Sequence, residues 1–329
     1  MKNILMLGID GGGTKTRYML GDASGHVLAD ITALGLDYQS LGYDGVESRI
    51  SETVNKMLEP LGRGFTDIAS VCAGMPRIGE FAEWDVKCGE LLKKLFPEAK
   101  VHCVNDVQIG LYGSLCLGRG IHLVSGTGSI AIGMGLGDTA YRCGGWHEDF
   151  SDEGSGYRLG LKAWELFSKQ FDGRLPKTCL YDLVLGKTGL ADPTRFVEYF
   201  EMHLANRRDA VASYQPLLEK SALSGDRMAV EVYRQAAEEL AQMALAVYRA
   251  LEWKTPVELS YSGGVFRCGG LILDPLKEAL KSYPIVVLSP RMQPAQGALL
   301  YAVCSENTDP AFRESAARNI QSAAECEGV

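Results

Sequence analysis

The segment with the clearest chemistry is an apolar run that ends on a carboxylate and continues into a glycine-rich turn. Residues Ile4 to Ile9 form the run, Asp10 ends it, and three glycines and Thr14-Lys15-Thr16 follow. Glycine lets the backbone approach an anion closely, and consecutive amides with added donors form an anion-binding nest. A strand-end carboxylate offers the hard oxygen that Mg²⁺ prefers. We predict a phosphate-binding turn of Gly11, Gly12, Gly13, Thr14, Lys15 and Thr16, with Asp10 as the metal ligand.

The same order of features occurs a second time. Residues Ile121 to Ser125 form an apolar run, and Gly126, Thr127 and Gly128 make the turn after it. In both places two further strand patterns follow, whereas a P-loop or dinucleotide-binding turn would open a helix. An internal repeat fixes architecture early. Two such turns facing each other across a cleft would clamp a nucleoside triphosphate.

A third carboxylate, Asp106, lies at the end of an apolar strand pattern and at the start of a helix pattern, directly after Asn105. There it could act as a general base toward a hydroxyl group. It could equally cap the helix, a role that aspartate favours. The residues themselves leave both interpretations open.

Two more segments could bind flat or polyhydroxylated ligands. Gly144-Gly145-Trp146-His147 and the acidic loop from Ser151 to Gly156 suit a sugar ring, with Trp146 as a plate and Asp152 as an acceptor. The alternative is a loop with an N-cap at Asp152 and a buried tryptophan. Gly263 and Gly264 follow a strand pattern and would let a base or ribose lie on the backbone. The alternative there is a tight strand-to-helix turn.

Composition restricts the class of protein. A length of 329 residues favours two domains. The net charge of −8 argues against a nucleic-acid partner. No apolar stretch is long enough for a membrane span, and the first residues do not resemble a signal peptide. Nine cysteines without a C-x-x-C pair suit reduced thiols, so we expect a cytoplasmic protein.

Strand and helix patterns alternate after the opening strands, which favours an α/β class. Helices are predicted over 43–59, 81–96, 107–117 and 157–167, with a long one over 226–253. On the last, Tyr233, Ala236, Leu240, Met243, Val247 and Ala250 form a core stripe. A further surface helix is expected after Ser305.

As an ordered set these motifs, from about residue 4 to about residue 304, resemble the N-acetylglucosamine kinase family. The resemblance implies the actin, sugar kinase and Hsp70 ATPase fold: two actin-like (ribonuclease H-like) α/β domains, each a mixed sheet flanked by helices, with a nucleotide cleft between them. The domains would span 1–117 and 118–329, and the last helix could pack back on the first domain.

The resemblance also implies site roles. Gly11 to Lys15 would bind the β- and γ-phosphates of ATP, with Asp10 near Mg²⁺. Gly126, Thr127 and Gly128 would hold the phosphates from the other side, and Gly263 and Gly264 would lie by the adenosine. Asp106 would take the proton from a sugar hydroxyl, at C6 of N-acetylglucosamine. Asn105, Gly145, Trp146 and Asp152 would line the sugar pocket, and the protein would be a homodimer.

One position departs from the family pattern. Asp37 stands where these kinases often carry an asparagine that contacts the sugar. A carboxylate accepts hydrogen bonds but donates none, and it would suit a cationic amino sugar. Glucosamine therefore stays open as the substrate.

Two rival functions follow from the same resemblance. The family shares its sequence pattern with ATPase activators of benzoyl-CoA reductase and 2-hydroxyacyl-CoA dehydratase, which bridge a dimer through an iron–sulfur cluster. Cys72 and Cys103 are the nearest candidates for such ligands. The second rival is a non-catalytic sugar or nucleotide sensor, against which both phosphate turns and both aspartates argue.

Overall fold

The computed structural model describes residues 4–254 and 256–325. The first half of the chain contains β1 (Leu5–Gly11), β2 (Lys15–Asp22), β3 (Val27–Leu34), α1 (Tyr38–Leu58), β4 (Ile68–Met75), α2 (Ala82–Leu95), β5 (Lys100–Asn105), α3 (Asp106–Ser114), β6 (Gly120–Ser125), β7 (Ser129–Met134), β8 (Ala140–Gly144) and α4 (Gly156–Phe171). The second half contains α5 (Cys179–Thr188), α6 (Phe196–His203), α7 (Arg208–Ala212), α8 (Gln215–Leu223), α9 (Arg227–Ala250), β9 (Val257–Ser262), α10 (Gly270–Leu280), β10 (Ile285–Val287), α11 (Pro294–Cys304) and α12 (Pro310–Glu325).

The chain divides into two compact units. Unit 1 consists of the chain up to Arg119 together with the chain from Ser289 onward, and unit 2 runs from Gly120 to Leu288. The predicted boundary near residue 118 is therefore within two residues of the observed one. The predicted second domain, 118–329, extends too far, because α11 and α12 both belong to unit 1 rather than the last helix alone.

Unit 1 is built on a five-stranded sheet in the order β3-β2-β1-β4-β5. β1, β4 and β5 run parallel, and β2 and β3 continue the sheet in antiparallel pairs. The carboxyl ends of β1, β4 and β5 consequently meet at one edge of the sheet, which we call the carboxyl edge of unit 1.

Strand alternation sends the two faces of this sheet to different helices. Leu5, Leu7 and Ile9 of β1 pack in one buried cluster with α1 and α2. On the opposite face, an ideal Cβ on Gly8 would lie 2.4 Å from the backbone nitrogen of Leu299 in α11. Glycine at this position therefore lets α11 lie directly against β1, and α12 packs on α11 in a separate cluster.

Unit 2 repeats the arrangement. Its sheet has the order β10-β9-β6-β7-β8, with β6, β9 and β10 parallel and β7 and β8 antiparallel. The internal repeat predicted from the two glycine turns is thus present in the strand order.

The long helix α9 covers one face of the unit 2 sheet, and most of its predicted stripe is buried, namely Tyr233, Ala236, Leu240, Met243 and Val247. The prediction for Ala250 is wrong: this last helical residue is exposed. In the described part of the chain, none of the helices has the length and apolar content that a membrane span requires.

Candidate functional site

A cavity of about 680 Å³ opens at the carboxyl edge of unit 1. The lining residues come from β1, the turn after it, β2, β3, the start of α3 and the start of α11. They are Asp10, Gly11, Gly12, Thr14, Lys15, Arg17, Asp30, Thr32, Asp106, Gln293, Pro294 and Ala295. The sheet thus brings the predicted metal ligand, the predicted base and most of the first phosphate turn to one cavity.

The first phosphate turn is held from both sides. Within it, the Gly12 amide donates to the Lys15 carbonyl at 3.1 Å. From the chain after β3, the Gly35 amide donates to the Thr14 carbonyl at 3.0 Å and the Leu36 amide donates to the Gly12 carbonyl at 2.9 Å. An ideal Cβ on Gly35 would lie 2.0 Å from the Gly13 carbonyl oxygen, so only glycine permits this approach.

Thr16 is a correction to the predicted turn. Its side chain is fully buried, and its hydroxyl has no hydrogen-bond partner among the described residues. Arg17 lines the cavity, and neighbouring strand residues point to opposite faces of a sheet. Thr16 therefore faces the core and does not present a donor to a phosphate.

Asp10 lies beside two cations. It pairs directly opposite Arg17 in the β1–β2 ladder, and Lys15 follows in the turn. Burial raises the pKa of Asp10 to about 6, although the charges of Lys15 and Arg17 pull it down. A partly buried carboxylate on this cavity is a suitable ligand for a magnesium ion that also binds phosphate oxygens.

Asp106 is the first residue of α3, and its side chain lines the cavity. The N-cap is Asn105, whose side-chain oxygen accepts from the Val107 amide at 3.0 Å. Asp106 accepts from the same amide at 3.0 Å. Burial, together with the charges of Asp10 and Glu80, raises the pKa of Asp106 to about 7. Asn105 therefore caps α3 together with Asp106. The Asp106 carboxyl, with a pKa near neutrality, lies at the cavity.

Asn105 does not line this cavity. Its amide nitrogen donates to the Ile78 carbonyl at 2.8 Å while its oxygen caps α3. Both ends of the side chain therefore bond to backbone and position the start of α3, and the contact of Asn105 with a sugar stays a prediction.

Asp37 also lies outside the cavity lining. It is the N-cap residue of α1, but its side chain accepts no capping hydrogen bond. Its Oδ1 lies 4.0 Å from the Arg77 Nε instead.

Several residues of the cavity were missed by the sequence reasoning. Arg17 forms a two-pronged ion pair with Asp30, with Nε to Oδ1 at 2.9 Å and Nη2 to Oδ2 at 2.6 Å. Thr32 pairs opposite Arg17. The Arg17–Asp30 ion pair could be predicted from the sequence once the register of the β2–β3 hairpin is known, because oppositely charged residues then lie close together on adjacent strands. No sequence pattern indicates that the start of α11 lines the cavity, because the whole of unit 2 separates it from the other lining residues along the chain.

In unit 2 the carboxyl edge gathers three glycine segments. The Gly156 amide donates to the Gly126 carbonyl at 2.8 Å, and the Tyr157 amide donates to the Thr127 carbonyl at 3.1 Å. An ideal Cβ on Gly263, whose φ is +106°, would lie 2.1 Å from the Ser125 carbonyl oxygen. The second turn, the start of α4 and the Gly263-Gly264 turn are therefore in contact.

Asp152, predicted to bind a sugar hydroxyl, supports the second turn in this structure. Its side chain is buried, pairs with the Arg208 guanidinium, and accepts from the Ser129 amide at 3.1 Å. An ideal Cβ on Gly128 would lie 2.9 Å from Asp152 Oδ1. The carboxylate is thus already bonded to an arginine and to the backbone of the turn.

Gly145 and Trp146 lie at the same edge, after β8. Residue Trp146 is 57% exposed, which excludes the buried-tryptophan alternative, and the Arg142 guanidinium lies 4.3 Å from its ring centre. Gly145 has φ +68° and packs on Ile130. An exposed aromatic ring is therefore present, and its contact with a sugar stays a prediction.

A buried histidine unnoticed in the sequence joins β6 to β9. The His122 Nδ1 lies 2.8 Å from the Ser260 hydroxyl, and its Nε2 lies 3.0 Å from the Ser262 hydroxyl. Burial lowers the pKa of His122 to about 3. A neutral imidazole therefore bridges the two strands whose ends carry the glycine turns.

The cysteines proposed for an iron–sulfur cluster lie elsewhere. Cys72 is fully buried in β4, and the Cys103 Sγ lies 3.6 Å from the Cys88 Sγ. A buried Cys72 cannot ligate a cluster that two subunits share at their surfaces. Within residues 4–254 and 256–325, no group of three or more His, Cys, Asp or Glu side chains is arranged around a metal position.

Comparisons with known proteins agree with this architecture. The chain is 28% identical over 300 residues to the N-acetylmuramic acid/N-acetylglucosamine kinase of Clostridium acetobutylicum, which covers 90% of this chain and 97% of that protein. It is 28% identical over 326 residues to the N-acetyl-D-glucosamine kinase of Dictyostelium discoideum, covering 93% and 100%. These relatives are phosphotransferases.

A solved structure shows the same fold. The crystal structure of a candidate N-acetylglucosamine kinase from Chromobacterium violaceum superimposes with a TM-score of 0.73 at 24% identity, covering 91% of this chain and 99% of that one. The predicted fold class is confirmed: both sheets are mixed, five-stranded and flanked by helices, as in actin-like sugar kinases. A sequence profile of the BadF/BadG/BcrA/BcrD ATPase family matches residues 7–302, and the chain belongs to that family.

Proposed function

We propose that this protein is an ATP-dependent amino-sugar kinase that phosphorylates N-acetylglucosamine or a close derivative at the 6-hydroxyl. The observation that carries the proposal is the cavity of unit 1, where Asp106, Asp10 and the Lys15 turn lie together. The kinase names of the relatives support the substrate class. The predicted homodimer stays a prediction.

The first phosphate turn, Asp10 and Asp106 each have a part in the transfer. Lys15 and the amides of the first turn other than that of Gly12, which donates to the Lys15 carbonyl, hold phosphate oxygens. This suits a reaction that depends on positioning and charge neutralisation. A magnesium ion at Asp10 supplies further charge neutralisation when bound. The residues present fit that ion, because one or two carboxylates and the phosphates complete its usual shell.

Asp106 performs the proton transfer. Its carboxylate accepts the proton of the sugar hydroxyl as that oxygen bonds to the γ-phosphorus, and the bond from the γ-phosphorus to the bridging oxygen breaks to release ADP. A base whose pKa lies near 7 is half ionised at neutral pH and accepts a proton efficiently. Asn105 fixes its position by holding the Ile78 carbonyl and the start of α3.

The test is ADP release with magnesium-ATP and a panel of hexoses and amino sugars. We expect ADP only with N-acetylglucosamine or close relatives, and a fall in kcat of about 10²–10⁴ in Asp106→Asn. Asp182→Asn, on the exposed face of α5, is the matched control and should keep the wild-type rate. ADP release without sugar, unaffected by Asp106→Asn, would contradict the proposal.

A further inference from the structure

Arg49 of α1 is bonded to the chain segment that holds the first phosphate turn. Its guanidinium Nη1 donates to the Gly35 carbonyl at 2.5 Å. Residue Gly35 is buried and Arg49 is half-buried. A hydrogen bond from a charged donor is shorter and stronger than one between neutral groups. The helix that packs on the unit 1 sheet therefore also fixes the chain that follows β3.

The bonded carbonyl shares a peptide group with an amide that contacts the turn. The Gly35 carbonyl and the Leu36 amide belong to one planar peptide, and that amide donates to the Gly12 carbonyl at 2.9 Å. A cation on the carbonyl polarises the peptide, which strengthens the hydrogen bond that its amide donates. Arg49 is thus linked to the phosphate turn through one rigid group of atoms.

This link sets the direction of amides in the turn. The carbonyls of Gly12 and Thr14 both accept from amides of the Gly35-Leu36 segment. In a planar trans peptide, a carbonyl and the amide that follows it point in opposite directions. The next amides, those of Gly13 and Lys15, therefore point away from that segment. They are among the amides that the proposed function assigns to phosphate oxygens.

The surroundings of Arg49 provide a control and a route for chemical rescue. Arg49 lines a groove of about 340 Å³ between β3 and α1, together with Lys56. Lys56 is exposed and lies two turns further along α1, so it carries the same charge on the same groove. Because Arg49 borders this groove, a free guanidinium ion can enter the space that a shorter side chain leaves.

We infer that Arg49 is a positioning residue for ATP: it holds the Gly35-Leu36 peptide, which aims amides of the first turn at the phosphates. The inference rests on the proposed function and adds to it a residue that is not part of the phosphate-cavity lining. Without the guanidinium the amides of the turn are no longer held in one direction, so ATP binds more weakly while sugar binding is unchanged.

The experiment measures the Kd of magnesium-ATP by calorimetry, and the KM values for ATP and N-acetylglucosamine, in the wild type and three variants. In Arg49→Ala we expect the Kd and KM for ATP to rise about tenfold, equivalent to ~1.4 kcal/mol, with the KM for the sugar changed by less than about twofold. Arg49→Lys keeps a charged donor but loses the planar fork, so its Kd should be intermediate. Lys56→Ala is the matched control and should keep the wild-type Kd.

Guanidinium rescue separates positioning from stability. Guanidinium chloride, far below the concentrations that unfold the protein, should lower the Kd for ATP of Arg49→Ala towards the wild-type value. The same concentration of sodium chloride should not. Urea unfolding of each variant measures the free energy of unfolding, which a purely structural Arg49 would lower without changing the Kd for ATP. Arg49→Lys, the smaller change, provides the same comparison if Arg49→Ala does not fold.

Three results would overturn the inference: an unchanged Kd for ATP in the folded Arg49 variants, an equal rise in Lys56→Ala, or a recovery with sodium chloride equal to that with guanidinium. A wild type that binds ATP but phosphorylates no sugar would contradict the proposed function instead. The Kd values would then still test the role of Arg49, because they need no sugar.

Discussion

Charges held in fixed positions on one cavity wall decide the chemistry at the scale of single residues. Asp10 and Arg17 lie opposite each other on adjacent strands, and Asp30 holds the Arg17 guanidinium by two hydrogen bonds. The Arg17–Asp30 ion pair is partly buried, with the Arg17 side chain 30% exposed and the Asp30 side chain 15% exposed. A cation fixed in this way loses little conformational entropy when a phosphate binds.

Replacing Arg17 with methionine should therefore weaken ATP binding. We expect the KM for ATP to rise by about tenfold or more, because hydrogen bonds to charged groups contribute ~1.5–3 kcal/mol. Titrating ATP while following ADP release measures the effect. Arg63→Met is the control, with an Arg–Asp pair of similar exposure away from the cavity. An unchanged KM for ATP in Arg17→Met would exclude a phosphate contact.

Single residues show where sequence reasoning succeeded and where it failed. The positions of Asp10 and Asp106 on the cavity could be predicted because each ends an apolar strand pattern, and their roles stay predictions. Thr16 was assigned to the turn because a hydroxyl can donate to phosphate. However, neighbouring strand residues face opposite sides of the sheet, so Thr16 faces the core while Arg17 faces the cavity. The Asp152–Arg208 ion pair could not be predicted from the sequence, because α7 lies far along the chain from the loop that it contacts.

At the scale of elements, close contacts between glycine backbones hold α11 in place. An ideal Cβ on Gly297 would lie 2.2 Å from the Gly113 nitrogen and 2.4 Å from the Ile109 carbonyl oxygen, so α11 and α3 cross with backbones nearly touching. The first turn of α11 carries Gln293, Pro294 and Ala295 to the cavity. Packing of two helices and the shape of the cavity therefore depend on the same crossing.

Gly297→Ala should lower stability and alter the cavity together. The added methyl group forces the helices apart, which typically costs ~1–3 kcal/mol, and the KM for ATP should rise. Urea unfolding and ATP titration measure the two effects. Gly89→Ala in α2 is the control, since a Cβ there meets nothing within 4 Å and alanine favours a helix. Equal stability of both variants would show that the crossing tolerates a side chain.

The β6–β9 pair contains a pH-sensitive bridge. The pKa of His122 is about 3 in the folded protein and ~6.5 in an unfolded chain. Below pH 6.5 the unfolded state binds a proton that the folded state does not, so the free energy of unfolding falls as the pH falls, until about pH 3.

Between pH 7 and pH 5 the wild type should therefore lose about 2 kcal/mol more stability than His122→Gln. Urea unfolding at the two pH values measures this difference. His203→Gln, on the exposed surface of α6, should retain the wild-type dependence. If the wild type and His122→Gln lost the same amount, His122 would not be buried in its neutral form.

At the scale of the whole molecule, unit 1 is completed by chain that follows unit 2. The face of β1 and β2 that carries Gly8 and Met19 is covered by α11 and α12. Buried apolar residues on these helices include Ala295, Leu299, Leu300, Val303 and Ile320. Each large one contributes ~1.5–3 kcal/mol, so their sum is comparable with the ~5–15 kcal/mol that stabilises a typical domain.

Truncation after Leu288 should consequently unfold unit 1 and spare unit 2. Hydrogen exchange read by mass spectrometry should show lost protection across β1 to β5 and retained protection across β6 to β10. The full-length chain is the control. Slow exchange retained in β1 and β4 of the truncated chain would show that unit 1 folds without α11 and α12.

The fold class could be predicted from the sequence because the repeated strand–turn–strand order is local. The resemblance predicted that the last helix could pack back on the first domain, but the place of α11 in unit 1 could not be predicted, since the stretch before α11 has no composition that marks a crossing between units. The cavity could be predicted only as far as its local motifs extend. Its Arg17–Asp30 wall depends on strand register, and its Gln293–Ala295 wall depends on a contact remote in sequence.

The identity of the phosphorylated product is the most direct measure of the central chemistry. The protein is incubated with magnesium-ATP and N-acetylglucosamine, and the product is examined by mass spectrometry and by phosphorus–proton coupling in NMR spectra. We predict one phosphosugar for each ADP, with the phosphorus coupled to the C6 protons, and none with Asp106→Asn. Inorganic phosphate in place of a phosphosugar would show an ATPase instead of a sugar kinase.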